Sequence, residues 1–498
     1  MPSPGVVVDR RELLRTGRSD LFIGGRFLPA HGGRYVETVE AVSGAPIAQV
    51  AAATVDDADR AVEAAAAALP DWAGLPPAQR RAVLLRAAEL FGERSGDLSA
   101  IMGREMGATR PWCRFNVRVA QGMLAEAAAQ AYSAVGEVIP SDVPGLTAFG
   151  IRQPAGVVVG IAPWNAPLIL GVRAVAMPLV YGNTVVLKSS EQTPLTQAAI
   201  VEILHDAGAP AGAVNLISNA AEDAPAIVEA LVAHPATARV NFTGSTKVGR
   251  IIGELGGRYL TRVVLELGGK APLVVLADAD LQAAAAAAGF GAFVNQGEVC
   301  MSTERVIVER PVADELSSRL AAKAASLVVG PPDDESSQVG PLVHAGARDH
   351  VMGLVEDAVR HGAEVLAGGT ADGLYVRPTV LRHVTPDMRI YREETFGPVV
   401  SIIEVGDSDE AVEIANDTEY GLAASVFCRD GGRAFDVARR IRSGICHING
   451  ATVHDEPQMP FGGVGASGWG RFGSRAALEE FTELRWITQQ SGERHYPI

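Results

Sequence analysis

Residues 156–167 read Gly-Val-Val-Val-Gly-Ile-Ala-Pro-Trp-Asn-Ala-Pro, and the reading of the fold starts from them. Residues 156–161 form a short apolar run without alternation, the pattern of a strand buried on both faces. Similar runs recur at 185–187, 214–217 and 239–242, spaced so that helices fit between them. One of these helices is well marked: Thr193 is its expected N-cap, Pro194 opens its first turn, and Gly208 follows its last. Strand–helix–strand alternation over 156–246 predicts an α/β fold with a doubly wound parallel sheet. Ligands of such sheets lie in the crevice beyond the carboxyl ends of the strands. At those ends stand Pro163-Trp164-Asn165, Lys188-Ser189-Ser190-Glu191 and Thr243-Gly244-Ser245-Thr246. After a fifth run at 263–265 comes Glu266-Leu267-Gly268-Gly269-Lys270. Each end pairs a polar or ionisable group with glycine or proline, and the four together point to a site.

The N-terminal third reads as helix-rich. Alanine and leucine fall at helical spacing over 58–69 and 78–91, with Pro76-Pro77 in the first turn of the second helix. A second α/β region opens at 274–276. There Asp280 caps a helix through the alanines of 283–288, which ends before Gly297 and leaves Glu298-Val299-Cys300 irregular. Strand-like runs follow at 305–308, 399–403 and 424–427. Residues 481–487 have the apolar content of an exposed strand, which aggregates unless paired, so the segment reads as an oligomerisation arm.

With 498 residues and ~150 per domain, about three domains are expected. The chain is 48% apolar and 20% charged, which excludes collagen, coiled coil and disorder. A net charge of −15 repels phosphate backbones, so no nucleic-acid partner is expected. No apolar run nears the ~20 residues of a membrane span. Gly5-Val6-Val7-Val8, followed by Asp9-Arg10-Arg11-Glu12, falls short of the ~7–15 apolar residues of a signal peptide. No membrane association is expected, and the cytoplasm is the expected location. The one dinucleotide-style glycine pattern, Gly463-Val464-Gly465-Ala466-Ser467-Gly468, lies far C-terminal without a βαβ unit and reads as a loop. Where a phosphate-binding turn would be sought, after Ile217, the chain has Ser218-Asn219-Ala220-Ala221.

The four cysteines, Cys113, Cys300, Cys428 and Cys446, form no CxxC, and no histidine spacing matches zinc, so no metal is expected. Cys113 adjoins Trp112, while Cys428 and Cys446 lie in or beside apolar runs, and all three read as core. Cys300 differs. It follows Asn295-Gln296-Gly297-Glu298 in a non-periodic stretch, where a rigid scaffold presents catalytic groups.

Six segments in order resemble motifs of the aldehyde dehydrogenase superfamily across nearly the whole chain. They are Pro163-Trp164-Asn165, Phe242-Thr243-Gly244-Ser245-Thr246, Leu265-Glu266-Leu267-Gly268-Gly269-Lys270, Asn295-Gln296-Gly297 with Cys300, Glu394-Thr395-Phe396-Gly397-Pro398, and Pro460-Phe461-Gly462-Gly463. Taken singly, Asn165 reads as a turn residue and Glu266 as a solvated strand end; in this order they read as chemistry. The resemblance implies an NAD-binding domain over 1–131 and 152–264, a catalytic α/β domain over 265–450, and a small β arm over 132–151 and 478–498. It implies a homodimer or homotetramer acting on a small aldehyde. Cys300 would attack the carbonyl, Asn165 and the Cys300 N–H would hold the oxyanion, and Glu266 would be the general base for thioester hydrolysis. Lys188 belongs to both the catalytic and the cofactor sets. Ala162, Pro163, Trp164, Glu191, Gly244, Ser245, Leu267, Glu394 and Phe396 would complete the cofactor site. Glu191 would accept hydrogen bonds from ribose hydroxyls and repel a 2′-phosphate, which favours NAD, while Lys188 would tolerate NADP.

Two residues depart from the family's pattern. Glu298 stands where glutamine is usual, and it raises the thiol pKa unless it points away or is protonated. Gly465 replaces a common lysine. Residues 161–167, 171–174 and 452–461 look closest to the bacterial salicylaldehyde, vanillin and benzaldehyde branch. That likeness implies a flat pocket built from Ala166, Leu170, Val299, Met301, Met459 and Phe461, beside Trp164, in which Arg173 meets a ring hydroxyl or phenolate. The alternatives are an aliphatic aldehyde or semialdehyde substrate, a cofactor-independent thiol hydrolase, the CoA-acylating branch, against which Glu266 speaks, and a non-enzymatic binding protein.

Overall fold

A computed structural model describes residues 17–473 and 475–498. The apolar stretch at 5–8, on which the reading of the N-terminus rests, lies outside them. Before the first helix come five short strands between Arg18 and Ala51. At 2–6 residues each they carry too few positions for a period to show, which is why the N-terminal third read as helical only. Helices α1 (Val55–Gly74), α2 (Pro77–Glu93) and α3 (Arg110–Ala129) follow, the second with Pro77 at N1 as expected.

The predicted parallel sheet is present. Its strands are β1 (Val157–Ile161), β2 (Thr184–Lys188), β3 (Val214–Ile217), β4 (Thr237–Thr243) and β5 (Arg262–Glu266), in the order β5-β4-β1-β2-β3. The crossover helices include α4 (Pro167–Val180), α5 (Pro194–Asp206) and α6 (Thr246–Tyr259). Every residue of β1, β2 and β3 is buried, as helices on both faces require. The register aligns the carboxyl ends: Ile161 pairs with Lys188 and Phe242, Ile217 with Lys188, and Thr243 with Glu266. The strand order reverses between β1 and β4, so the crevice opens where Pro163-Trp164-Asn165 and Gly244-Ser245 emerge.

The second sheet has β6 (Ala271–Val275), β7 (Thr303–Glu309), β8 (Val399–Val405), β9 (Ala423–Phe427) and β10 (Ile445–Ile448), in the central order β8-β7-β6-β9-β10 and all parallel. Helix α7 (Leu281–Phe293) crosses from β6 to β7, its N-terminus capped by the Asp280 side chain on the Ala283 N–H at 3.0 Å. The C-terminal strand β11 (Thr482–Gln490) pairs antiparallel with Leu146–Pro154, which pairs in turn with Glu137–Ile139. Most of β11 is exposed, including Trp486 at 73%. Among the described residues no helix is long and apolar enough to cross a membrane.

The glycine pattern at 463–468 is a loop, as read, with a structural task. Ser467 Oγ donates to Gly268 O at 2.7 Å, Leu267 N donates to Ser467 O at 3.1 Å, and Gly468–Trp469 adds an antiparallel strand beside β5. Gly465 has φ +62° and faces Glu419 O, so a side chain there is strained on both counts, which accounts for the missing lysine.

One capping detail differs from expectation. Thr193 occupies the N-cap position of α5, but its hydroxyl makes no capping bond and has no partner among the described residues. The buried carboxyl of Glu105 reaches in instead, accepting from Leu195 N at 2.8 Å, Thr196 N at 2.9 Å and Thr196 Oγ1 at 2.6 Å. Glu105→Ala strands two buried amides and a hydroxyl and should cost about 2–5 kcal/mol. Thr193→Ala should cost well under the ~1 kcal/mol typical of a lost cap. Denaturant unfolding of both variants checks this, and equal losses would contradict the assignment of the cap to Glu105.

Candidate active site

Cys300 sits in the irregular segment predicted for it, after a turn with an unusual backbone. Asn295, Gln296 and Gly297 have successive φ values of +47°, +56° and +72°. Left-handed conformations at two non-glycine residues cost of order 1–3 kcal/mol each and persist only where the surroundings hold them. Here side chains and backbone do so. Gln296 Oε1 accepts from Gly340 N at 3.0 Å, and Asn295 Nδ2 donates to Asn165 O at 3.2 Å and to Glu298 O at 3.3 Å. Gly297 approaches Gly397 O so closely that any Cβ would collide with it.

The same contacts bring Asn165 to the cysteine. Its Nδ2 donates to Glu298 O at 3.0 Å, leaving a second N–H, and its own carbonyl accepts from Trp112 Nε1 at 3.1 Å. Trp112 and Asn295 are thus positioning residues that the sequence reading did not assign. Asn295 belonged to a quoted motif; Trp112, on α3, carried no signal.

Glu266 ends β5 fully buried, with the half-buried Cys300 thiol as its hydrogen-bonding neighbour and no other partner for its carboxyl oxygens among the described residues. Burial pushes this carboxyl up to about 7, with Arg173 pulling the other way. Burial also holds the Cys300 thiol well above its ordinary value, reinforced by the adjacent Glu266. A protonated thiol beside a carboxyl near neutrality is a nucleophile and base awaiting a proton transfer.

Glu298 resolves as one of the two expected cases and satisfies the other. Its carboxyl turns to Val343 N at 3.0 Å and Gln296 Nε2 at 3.4 Å, and burial pushes it up to about 8.

The cofactor-side residues gather at the carboxyl ends of the first sheet. Lys188 and Glu191 form a close ion pair, and Asn219 Nδ2 donates to Glu191 at 2.9 Å. Burial raises the Glu191 carboxyl, but Lys188 beside it outweighs this and the group is held below its usual range. Asn219, in the turn after Ile217, therefore anchors Glu191. Ser245 is the N-cap of α6, its hydroxyl accepting from Val248 N at 3.4 Å, and Leu267 packs against Gly249 on that helix. Ala162 is buried, and Pro163 O accepts from Gln197 Nε2 at 2.9 Å. Glu394 accepts from Gly269 N at 2.8 Å, and burial pushes it up to about 8. Trp164 and Phe396 meet edge to face with centroids 5.9 Å apart. Phe396 has φ +47°, and its loop is clamped by Glu304, which accepts from Thr395 N and Phe396 N and pairs with buried Lys270. The signal for Glu304 was a carboxylate at the head of an apolar run.

Among the expected pocket residues, Ala166, Leu170, Val299, Met301 and Phe461 are buried in one cluster, against which Cys300 and Trp164 pack. Met459 is more exposed, at 46%, and lines a narrow cavity with Phe461 and Arg173. Arg173 is buried on α4, but its guanidinium pairs with Asp455 and stacks over Phe461, 4.1 Å from the ring centroid. A cavity of about 960 Å³ lies elsewhere, around α3 and Pro331-Pro332-Asp333, and none of the expected site residues lines it.

Known proteins resemble this chain along nearly its whole length. The family model described as "Aldehyde dehydrogenase family" matches residues 27–487. A vanillin dehydrogenase from Pseudomonas sp. strain HR199 is 56% identical over 478 residues, covering 96% of this chain and 99% of that protein. The crystal structure of a salicylaldehyde dehydrogenase from Pseudomonas putida G7 complexed with salicylaldehyde superimposes with TM-score 0.95 at 42% identity, covering 97% of this chain and 100% of that one. PnpE in complex with nicotinamide adenine dinucleotide gives TM-score 0.92 at 36% identity, covering 96% of this chain and 99% of that one.

The Glu298 carboxyl supplies a stability test. The folded protein keeps its proton up to about pH 8, whereas the ordinary value is 4.5. The unfolded chain therefore releases a proton that the folded one retains, and the stability from this group, full below its ordinary value, is lost as pH rises toward 8. Glu298→Gln removes that loss, so its Tm relative to wild type should climb between pH 5 and pH 8. A Tm difference independent of pH would show the carboxyl to be ionised.

Proposed function

The chain belongs to the aldehyde dehydrogenase family, and from that premise we propose that it oxidises an aromatic aldehyde to the carboxylic acid with NAD, through a covalent adduct on Cys300. The observation that carries the mechanism is the buried Glu266 carboxyl beside the Cys300 thiol, with the Asn165 amide held on the Glu298 carbonyl two residues before that cysteine. Relatives named for vanillin and salicylaldehyde, and the apolar cluster of Ala166, Leu170, Val299, Met301 and Phe461, support the aromatic substrate.

Cys300 Sγ attacks the carbonyl carbon as Glu266 takes the thiol proton. The resulting oxyanion is held by the free N–H of Asn165 Nδ2 and the Cys300 backbone N–H, each such donor worth ~3–4 kcal/mol of barrier. When bound, the nicotinamide cofactor accepts the hydride that leaves the thiohemiacetal. A thioester to Cys300 remains. Glu266, having passed its first proton to solvent, takes one from water, which attacks the thioester carbon; the acid departs and the thiol is restored.

The residues at the sheet edge fit an adenine dinucleotide. Gly268, just past β5, lies so close to the Glu394 carboxylate that a Cβ would meet it, and α6 presents its N-terminus. NAD(P) use follows from the family; the preference for NAD rests on Glu191. An ionised carboxylate there accepts from both ribose hydroxyls and repels a 2′-phosphate, and the ammonium beside it, Lys188, is already matched by Glu191 itself. The exposed β11 and Glu137–Ile139 form the arm through which two or four copies assemble, and the site works in the cytoplasm.

Absorbance of reduced nicotinamide, followed with aromatic, aliphatic and semialdehyde substrates and either cofactor, tests this reading. Benzaldehydes with NAD should give the highest kcat/KM and Cys300→Ala no turnover; a clear preference for aliphatic aldehydes would refute the aromatic assignment. Glu191→Ala should lower the NAD-to-NADP ratio of kcat/KM by about tenfold or more, the scale of one lost charge contact. Glu266→Gln should slow single-turnover and steady-state rates by ~100-fold or more. It should also flatten the rise in rate as pH passes through about 7, where the wild-type carboxyl becomes the base. Retention of that rise in the variant would assign the base elsewhere.

A further inference from the structure

The turn after β3, where a phosphate-binding motif was sought, carries Ser218-Asn219 instead. Ser218 pins that turn from two sides: its hydroxyl donates to Ala51 O at 2.8 Å, and its carbonyl accepts from Ala53 N at 2.9 Å. Asn219 follows, 3% exposed, at the sheet edge where Ile217 pairs with Lys188. Its Nδ2 donates twice, to Glu191 Oε1 at 2.9 Å and to Ala220 O at 2.8 Å. A carboxylate and a carbonyl only accept, so the amide can stand only this way round. The orientation has a cost. Asn219 Oδ1 is left buried without a hydrogen-bond partner among the described residues, a loss of about 1–3 kcal/mol. A buried acceptor left unmatched calls for a reason, and the hold on Glu191 supplies one.

What that hold does follows from the lone pairs of the carboxylate. Each carboxylate oxygen offers about two acceptor sites. Lys188 Nζ and Asn219 Nδ2 both fall on Oε1 of Glu191. Oε1 is thereby filled, and Oε2 is the oxygen left for the ribose. Glu191 is also the looser member of its ion pair, its side chain 29% exposed against 5% for Lys188. Without the Asn219 tie the carboxylate can swing toward solvent, and the Lys188 ammonium is then open to another anion. A 2′-phosphate is such an anion, and a 2′-hydroxyl is not.

We infer that Asn219 is a specificity-determining residue for the cofactor: by locking Oε1 of Glu191 it keeps the carboxylate on the ribose and Lys188 matched, so that a 2′-hydroxyl is accepted and a 2′-phosphate rejected. Asn219 acts through Glu191 and is a positioning residue. This rests on the NAD reading above and assigns part of its discrimination to an amide rather than to the carboxylate alone. The selection works against the wrong ligand as much as for the right one.

Isothermal titration of the cofactor-free, full-length protein with ADP-ribose and with its 2′-phosphate ester tests this without turnover. Wild type should bind ADP-ribose the more tightly. Asn219→Ala should cut that preference about tenfold, the scale of one hydrogen bond to a charged group. The NAD-to-NADP ratio of kcat/KM should fall with it, through KM. In a Glu191→Ala background the same substitution should change the preference by less than about twofold, because the group it positions is gone. Asn219→Ser, too short to reach Glu191 yet still polar, repeats the test should the alanine variant not fold. A wild-type protein that binds both ligands equally, or the 2′-phosphate more tightly, would overturn the inference and the NAD reading together. A preference unchanged by loss of the amide, or equal weakening of both ligands, would overturn the inference and leave the NAD reading standing. An undiminished effect in the Glu191→Ala background would do the same.

Discussion

Two backbone carbonyls join the halves of this protein where the chemistry occurs. The carbonyl of Asn165, just past the first parallel strand, accepts from Trp112 and Asn295. The carbonyl of Glu298, two residues before the nucleophile, accepts from Asn165 and Asn295. These bonds cross between the segment that follows the cofactor sheet and the segment that carries Cys300. They hold a backbone whose left-handed residues would otherwise relax. The oxyanion donor and the nucleophile therefore share one rigid unit, which electrostatic preorganisation requires.

Around that unit the protein accumulates buried carboxyls. Glu266 is pushed up to about 7 and both Glu298 and Glu394 to about 8, in each case chiefly by burial. They differ in what they face. Glu298 is bonded to Val343 N and Glu394 to Gly269 N, so both are tied to backbone amides. Glu266 has only the Cys300 thiol as a partner among the described residues, which makes it the member of the three placed for proton transfer. One physical effect, desolvation, thus serves both packing and catalysis, and hydrogen bonding decides which.

Second-layer contacts account for residues that no motif singled out. Glu304 and Lys270 clamp the loop bearing Glu394 and Phe396. Asn219 steadies Glu191, and Ser467, inside a glycine pattern without nucleotide function, ties Gly268 and Leu267 to the end of the fifth strand. Sequence reading identified the groups that would touch substrate and cofactor because their residue types announce chemistry. The groups that orient them are ordinary asparagines, serines and glutamates, more than 100 residues away in some pairs, and nothing local marks them.

The sequence by itself determined the sheet and its crevice, and it singled out the groups proposed to react. Continuous apolar runs have one solution when helices cover both faces, and polar residues at four strand ends share one edge once the strands are parallel. It did not determine what each side chain faces. Whether Glu298 points at the thiol, whether Thr193 or Glu105 caps a helix, and whether Arg173 stays free or pairs with Asp455 depend on contacts between segments distant in the chain. Burial and hydrogen-bond geometry exist only after those segments meet, so only the tertiary structure could decide them.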